Sequence, residues 1–171
     1  MALAAQLLFE DAERFYNILK CDFDFELDTG KDNFPNEKPS KGYIETTLLS
    51  PCDEKTDLHN WFIKTDTERN GGLFFEIMVG GKKQPRIVVF QKAKCVLLEE
   101  KFETQKDEQM TIKVKFSAQH VHFGENADFF LRFVTEDEQK ELKNTVGGKK
   151  EILEKKIKEL KLKAIELGGQ F

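Results

Sequence analysis

Two histidines separated by one residue are the first candidates for chemistry in this sequence. His120 and His122 lie in a segment that alternates like a β-strand, so both side chains point to the same side of it. Such a pair could supply two ligands to a metal ion. However, no Asp, Glu or Cys stands at a fixed short spacing to complete the set, and paired surface imidazoles are common. We therefore expect no metal site and no cofactor.

Three acidic residues at alternate positions, Asp22, Asp24 and Glu26, are candidates for a catalytic carboxylate pair and are called the acidic row. A glycosidase-type pair needs two carboxyl groups in different environments across a cleft, whereas residues along one strand face share similar environments. The sequence also contains no G-x-S-x-G, P-loop or G-x-G-x-x-G motif. It therefore predicts no catalytic residue and no enzyme.

Four lysines, Lys92, Lys94, Lys113 and Lys115, form a basic patch on two strands predicted to pair. One interpretation is that they protect the sheet surface against aggregation. The other pairs this basic patch with the acidic row of a second copy, as a lateral subunit interface. A chain with one acidic and one basic sheet face suits head-to-tail contacts, which close into a ring when the rotation allows.

Composition excludes several classes of protein. The 171 residues carry 27 Lys and Arg against 31 Asp and Glu, a net charge of -4, so no basic excess supports nucleic-acid binding. Cys21, Cys52 and Cys95 are widely spaced, which argues against a disulfide framework or a zinc knuckle and favours a reducing compartment. No stretch is long and apolar enough to cross a membrane. The apolar N-terminus lacks a basic region, so we expect synthesis in the cytoplasm without a cleaved signal peptide.

The elements that position these residues are organised around a long hairpin, Arg86–Phe102 and Met110–Phe123. In its second strand, apolar residues alternate with polar ones, as in a strand with one face on a core. The first strand is apolar on both faces at Ile87–Phe90 and Cys95–Leu98. Those stretches need cover on both sides, from the same domain or from a neighbouring subunit.

The remaining pattern predicts a mainly β fold. The expected strands are Ala4–Phe9, Phe15–Asp28, Gly42–Ser50, Leu73–Val79 and Phe129–Val134, with a long loop at Thr29–Gly42, a chain break at Asn70–Gly72 and a hairpin turn at Gly80–Gly81. In the second strand, one apolar face carries Phe15, Leu19, Cys21, Phe23, Phe25 and Leu27. A short amphipathic helix is predicted over Glu54–Lys64, with Asp53 as N-cap and Leu58, Trp61 and Phe62 on its apolar side.

Composition changes at Thr135, which suggests a mainly β domain over residues 1–134 and a helical extension over 135–171. Thr135–Glu138 resembles a capping box, and Gly147–Gly148 is expected to divide the extension before a second helix, Lys149–Leu167. That helix carries a regular apolar seam: Leu153, Ile157, Leu160, Ala164 and Leu167. The seam lies either on its own domain or a neighbour, or serves as a docking handle for a partner.

An ordered set of short segments resembles one family. It includes Leu7-Leu-Phe9, Ile18-Leu-Lys-Cys21, Thr29-Gly-Lys31, Lys38-Pro-Ser40, Gly42-Tyr-Ile44, Asp57-Leu-His-Asn-Trp61, Gly72-Leu-Phe-Phe75, Ala93-Lys-Cys-Val96, Glu99-Glu-Lys-Phe102, Met110-Thr-Ile112 and Phe116-Ser-Ala118. Over Ala4–Phe130 the chain is similar to the type VI secretion tube protein (Hcp, or TssD) of Bacteroidetes-type systems. It departs from the family at Asp32–Glu37, where the loop is longer, and after Thr135.

The resemblance implies a compact β-barrel of two packed antiparallel sheets with one short side helix, and no enzymatic activity. It implies that six copies form a ring, that rings stack into a tube inside a contractile sheath beneath a spike, and that the tube carries effectors out of the cell. The loop that would reach the next ring contains Gly30, Lys31, Asp32, Asn33, Phe34, Lys38 and Lys41. Two alternatives stay open. One is a monomeric barrel that binds an apolar ligand or peptide, and the other is a tube-subunit variant whose tail is an effector or adaptor handle.

Overall fold

A computed structural model describes residues 4–29, 35–50, 56–104 and 109–166. It contains seven strands and two helices. The elements are β1 (Ala5–Phe9), β2 (Phe15–Thr29), β3 (Pro35–Leu49), α1 (Asp57–Ile63), β4 (Arg69–Val79), β5 (Lys82–Glu103), β6 (Gln109–Gly124), β7 (Ala127–Phe130) and α2 (Glu136–Glu166).

The strands form one antiparallel sheet in the order β3-β2-β1-β4-β5-β6-β7, and an additional pairing between β3 and β6 closes it. Six strands therefore make a barrel, while β7 continues the sheet along the far end of β6. Closure removes the open edges that a flat sheet would present to other chains. The predicted antiparallel β-barrel with one short side helix is confirmed.

The barrel interior is filled by aromatic and branched side chains. Phe9, Phe90 and Phe116 are fully buried, with ring centroids 6.0 Å apart for Phe9 and Phe90 and 4.8 Å for Phe90 and Phe116. Trp61 of α1 closes one side, its ring centroid 5.0 Å from that of Phe9. On β6, the alternation predicted from the sequence places Val114 and Phe116 inside.

The predicted central hairpin corresponds to β5 and β6, although β5 begins at Lys82 because the Gly80–Gly81 turn feeds directly into it. Both glycines have positive φ, at 59° and 79°, which suits a tight hairpin turn. Val88 and Phe90 of β5 face the barrel core, whereas Ile87 and Val89 pack on the outside beneath α2. Along Ile87–Phe90, the chain itself therefore covers both apolar faces of the strand.

A β-bulge in β2 changes which side chains face inward. The register shifts between Ile18 and Lys20, so Tyr16 and Ile18 pack in the core before the shift, and Cys21 packs there after it. The expectation that Phe15 and Leu19 share the Cys21 face is wrong. Phe15 packs on the outer side beneath α2, and Leu19 is 55% exposed. An extra residue in one strand reverses the alternation, and spacing alone does not reveal it.

Two predicted interruptions lie inside strands. Residues 35–42, expected in a loop, belong to β3, which begins seven residues before the predicted Gly42 start. Asn70–Gly72, expected to break the chain, is the start of β4. A Cβ on Gly71 would lie 2.5 Å from the Leu8 carbonyl oxygen and 2.6 Å from Phe90 Cζ. This glycine therefore permits close strand and side-chain contact instead of a turn.

The ends of other elements also differ from the prediction. α1 is shorter than expected and begins after Thr56, while Asp53 lies outside the described residues. Leu58 and Trp61 of α1 are buried as expected, but Phe62 is 40% exposed. The final strand, β7, ends at Phe130, so the expected extension to Val134 is wrong.

α2 is one helix of 31 residues, so the expected division at Gly147–Gly148 is wrong. Thr135 caps its start, where Oγ1 accepts the backbone N–H of Glu138 at 3.3 Å. Leu142 on one side of the glycine pair and Leu153 on the other are both buried against the barrel. This packing outweighs the cost of about 1 kcal/mol that each glycine adds to a helix interior.

Candidate assembly surfaces

The acidic row and most of the basic patch lie on one outward face of the barrel. β3 pairs with β2 on one side and β6 on the other, and Asp22, Glu45 and Lys115 stand opposite one another across these three strands. Since directly paired residues point to the same side of a sheet, the acids and lysines share a surface. The expectation of one acidic and one basic sheet face is therefore wrong.

Several of these charges are already paired within the chain. Lys113 Nζ lies 3.3 Å from a carboxylate oxygen of Glu45, and Lys115 Nζ lies 4.5 Å from the ring centroid of Tyr43. Lys20 Nζ is 3.6 Å from Asp22. By contrast, Asp24, Lys92 and Lys94 have no ionic partner in the part of the chain that the structure describes. They are the charges most available to a neighbouring molecule.

An uncovered apolar segment borders this charged face. In the Cys95–Leu98 stretch of β5, Cys95 and Leu98 pack against the core, but Val96 is 48% exposed and Leu97 is half-buried. A register shift between Cys95 and Leu97 turns Val96 outward. Val96 thus stays about half exposed, whereas Ile87 and Val89 are covered by α2.

The residues assigned to the ring-stacking loop are only partly described. Gly30, Lys31, Asp32, Asn33 and Phe34 lie outside the described residues. Lys38 and Lys41 belong to β3, not to a loop. β2 and β3 pair as far as Thr29 and Pro35, so the two strands form a long hairpin.

The apolar seam of the tail lies on its own barrel. Leu153, Ile157 and Leu160 are buried with Leu8, Phe74 and Val89 in one cluster: the helix-facing cluster. Ala164 is half-buried, and Leu167 lies outside the described residues. Lys149 and Lys156 add polar contacts to Glu10, with Lys149 Nζ 3.1 Å from its carboxylate and Lys156 Nζ 2.8 Å from its carbonyl oxygen. The buried seam residues are therefore not open to a partner.

His120 and His122 form a cluster with Asp128 that the sequence did not predict. His120 is fully buried, and its Nε2 lies 2.6 Å from Asp128 Oδ1, while His122 Nδ1 lies 2.9 Å from the same oxygen. The premises that these imidazoles are on the surface and that no acid completes the set are both wrong. The Gly124–Asn126 turn could have indicated this cluster from the sequence. The turn joins β6 to β7 in a hairpin, and that pairing places Asp128 opposite His122.

The three ligand-type atoms of this cluster lie within 4.8 Å of one another, a spacing that a metal ion could bridge. Gln91 argues against that role. Its amide N–H₂ donates to the Leu142 carbonyl oxygen at 2.9 Å and to His120 Nδ1 at 2.9 Å. Because only the N–H₂ can face a carbonyl, His120 Nδ1 is an acceptor and Nε2 carries the proton donated to Asp128. A metal at Nε2 would have to displace that proton, so the arrangement suits a hydrogen-bond network better.

This network joins the barrel to α2. Gln91 of β5 bonds both to Leu142 and, through its Oε1 at 3.0 Å, to the hydroxyl of Thr145. His120 also stacks on Phe130, with ring centroids 4.5 Å apart. Burial lowers the pKa of His120, an effect that Asp128 partly offsets. Burial alone would raise the pKa of Asp128, but the two imidazole donors outweigh it and leave that pKa below its ordinary value.

The His120 network predicts a loss of stability in mild acid. Since the folded pKa is below the ordinary value of 6.5, the unfolded chain binds the proton more readily. Stability is therefore lost as pH falls below about 6.5 towards the folded pKa. Urea unfolding at about pH 7.5 and about pH 5 should show a smaller pH effect in His120→Gln than in the unchanged chain. Equal pH effects in the two proteins would contradict this account.

Arg69 is a second buried polar centre that the sequence did not indicate. Its side chain is 4% exposed and bonds Asp11 through Nε at 3.1 Å and Nη2 at 2.9 Å, and Asp57 through Nη1 at 3.0 Å. The guanidinium carbon lies 3.7 Å from the ring centroid of Phe9. Arg69 thus ties the β1–β2 turn and the first turn of α1 to the barrel wall.

The described cysteines lack the features of reactive thiols. Burial raises the pKa of Cys21 to about 12 and that of Cys95 to about 11. Both thiols are therefore protonated near neutral pH, whereas a nucleophilic cysteine needs a depressed pKa.

Comparison with known proteins decides the family. The sequence profile described as hemolysin coregulated protein Hcp (TssD) matches residues 1–129, about three-quarters of the chain. The chain belongs to the Hcp (TssD) family. The resemblance drawn from the sequence is confirmed, and the protein is a non-enzymatic tube protein of the type VI secretion kind.

Solved Hcp structures share the fold. Hcp1 from Flavobacterium johnsoniae is 18% identical with a TM-score of 0.59, and the match covers 74% of this chain and 98% of that one. The secreted protein Hcp3 from Pseudomonas aeruginosa is 10% identical with a TM-score of 0.52, covering 77% of this chain and 99% of that one. No curated protein sequence matches the chain.

The Hcp family match ends before the C-terminal helix. It stops at residue 129, within β7, and α2 begins at Glu136. α2 therefore lies beyond the residues that the Hcp profile matches. Neither helix in the described part of the chain combines the length and apolar character needed to span a bilayer.

Proposed function

We propose that this Hcp-family protein forms rings of six copies that stack into the tube of a contractile secretion system. Val96 carries the proposal: it is 48% exposed two residues from the unpaired Lys94, and the unpaired Asp24 lies on the same outward face of the barrel. A neighbouring copy would bury Val96 and pair those charges. Contacts of one surface with a different surface of the next copy generate a closed ring when the rotation permits.

The other parts of the proposal follow the family. The hairpin of β2 and β3, which carries the residues expected to stack rings, would contact the next ring along the tube. The stacked rings would lie within a sheath and beneath a spike, and would carry effector proteins. The protein would be made in the cytoplasm and leave the cell with the tube.

The rival function, a monomeric barrel with an apolar ligand inside, is disfavoured by the interior. Phe9, Phe90, Phe116 and Trp61 contact one another across the space that a ligand would need. The tail-handle alternative keeps some support, since Ile165 of α2 is 75% exposed.

Light scattering after size exclusion and negative-stain imaging test the proposal. We expect particles of six copies and six-fold rings at micromolar concentration. A stable monomer at high micromolar concentration would overturn ring formation and favour the ligand-binding barrel.

Charge reversal tests the lateral contact. Replacing Lys94, Lys113 and Lys115 by Glu should weaken ring formation, because each exposed pair contributes about 0–1 kcal/mol, so that the three together lower the affinity by up to roughly a hundredfold. The matched control replaces exposed lysines of α2, Lys140, Lys155 and Lys163, by Glu and should leave the rings intact.

A mixing experiment sharpens this test. A second variant carries Lys in place of Asp22, Asp24 and Glu26. Each variant alone has like charges at the contact, but an equal mixture restores opposite charges and should form rings in which the two alternate. Rings that survive in the separate variants would exclude this lateral surface.

A further inference from the structure

A cleft lies between α2 and the barrel wall. Leu153 packs closely against the sheet, since a Cβ on Gly72 would lie 3.3 Å from Leu153 Cδ1. Beyond it, α2 passes over a row of paired residues on β1, β4 and β5: Gln6, Phe74 and Ile87. The space between this row and Ile157 of α2 has a volume of about 380 Å³. That volume is in the range of ligand-binding pockets.

The floor of the cleft contains a largely buried glutamine whose amide has no partner within the described part of the chain. Gln6 is 7% exposed, lines the cleft, and its side chain makes no hydrogen bond in the described part of the chain. Its neighbours across the sheet are Phe74 on β4 and Asn17 on β2. An accessible amide can bond water or a ligand, and that of Gln6 is accessible because it is not among the fully enclosed side-chain atoms that lack a partner. This one is therefore placed to bond something that enters the cleft.

The rim of the cleft is positively charged. Arg86, Lys158 and Lys161 line it, and none has an ionic partner among the residues that the structure describes. Two acids also line it: Glu76 lies 3.9 Å from Lys83 Nζ, and Glu154 has no ionic partner among the described residues, so three unpaired basic groups stand against one unpaired acid. The unpaired charge at the rim thus favours an anionic ligand.

The Gln6 amide and the basic rim together favour a peptide over a lipid as the ligand of the cleft. An alkyl chain with a terminal carboxylate would satisfy the rim, but it would cover the Gln6 amide without bonding it. A peptide brings main-chain N–H and C=O groups that can bond this amide, and acidic side chains that can reach the rim.

We propose that the cleft binds a short acidic segment of a partner protein, with one apolar side chain against Phe74 and Ile157, its main chain on Gln6 and its carboxylates on the basic rim. All the lining residues belong to one copy, so the proposal does not depend on ring formation. α2, which roofs the cleft, lies beyond the part of the chain that the family profile matches. This helix thereby acquires a role in partner binding.

Fluorescent peptides of the form Asp-Glu-X-X-Asp-Glu test the proposal, where X-X is drawn from Phe, Leu, Ile and Met. Anisotropy titration of the full chain should detect at least one binder below about 1 mM, and the same peptide with Lys in place of the acids should bind at least tenfold more weakly. Amide chemical shifts should change on β1, β4, β5 and α2. Failure of the whole set to bind, or stronger binding of dodecanoate at the same amides, would overturn it.

Two variants assign binding to the cleft. Replacing Arg86, Lys158 and Lys161 by Glu should weaken binding at least tenfold, while the Lys140, Lys155 and Lys163 reversal described above should not. Gln6→Leu should also weaken binding several-fold. The substitution removes an amide that makes no hydrogen bond within the chain, so the melting temperature of the variant should equal or exceed that of the unchanged chain. Unaltered peptide affinity in both cleft variants would place the binding elsewhere and refute the proposal.

Discussion

Replacing Leu153 by Asp is expected to detach α2 from the barrel. Leu153 is fully buried in the helix-facing cluster, beside Leu8 and Val89. Truncating a buried leucine costs about 3–5 kcal/mol, and a buried carboxylate without a partner adds to that cost. We therefore expect the free energy of unfolding to fall by about 4 kcal/mol or more in urea titrations. Hydrogen exchange should show rapid exchange throughout α2.

Ile152 provides the matched control, since it is the adjacent residue and is 51% exposed. Ile152→Asp makes the same kind of change without burying charge, so we expect a change within about 0.5 kcal/mol. If both variants lost the same stability, the effect would come from helix propensity and not from contact with the barrel. If Leu153→Asp left α2 protected, the packing of α2 described above would be wrong.

The sequence predicted the barrel well because its signals were local. The alternation Ile112, Val114, Phe116 and the Gly80–Gly81 turn each follow from a few adjacent residues, and both are present in β6 and in the β4–β5 hairpin. The bulge near Leu19 was not predictable in this way. It depends on how β2 pairs with β3 and leaves no mark in residue spacing.

The predicted chain break at Asn70–Gly72 and the predicted division of the tail at Gly147–Gly148 were wrong for a related reason. Gly71 and Gly72 look like a turn, but one accommodates the Leu8 carbonyl and the other lies beneath Leu153. Gly147–Gly148 looks like a helix break, but packing on both sides of it keeps α2 continuous. In each case a contact between residues distant in sequence outweighs a local preference.

The histidine cluster shows what sequence spacing can miss in a candidate site. His120 and His122 were identified as a pair, but Asp128 reaches them only through the β6–β7 hairpin, and Gln91 only through the β5–β6 pairing. With Gln91 included, the cluster becomes part of the attachment of α2 and loses its resemblance to a metal site. The sequence did not show that His120 lies on a buried face of its strand, and this burial decides the role of the cluster.

Replacing Arg69 by Met is expected to be the second most damaging change. Met preserves most of the apolar contact with Phe9 but removes the donors to Asp11 and Asp57. Removing one partner of a buried ion pair costs about 3–5 kcal/mol. Because both acids are partly exposed and can recover water, we expect about 3 kcal/mol, measured by urea unfolding.

Two further variants show whether that loss comes from the ion pairs. Arg86→Met changes an exposed arginine of the same sheet and should cost less than about 0.5 kcal/mol. Asp57→Asn weakens one of the two contacts of Arg69, and combining it with Arg69→Met should cost less than the sum of the separate losses, since both remove the same contact. Strict additivity would mean that the Arg69–Asp57 pair contributes nothing. In that case the stabilising role of Arg69 would rest on Asp11 and on the ring of Phe9.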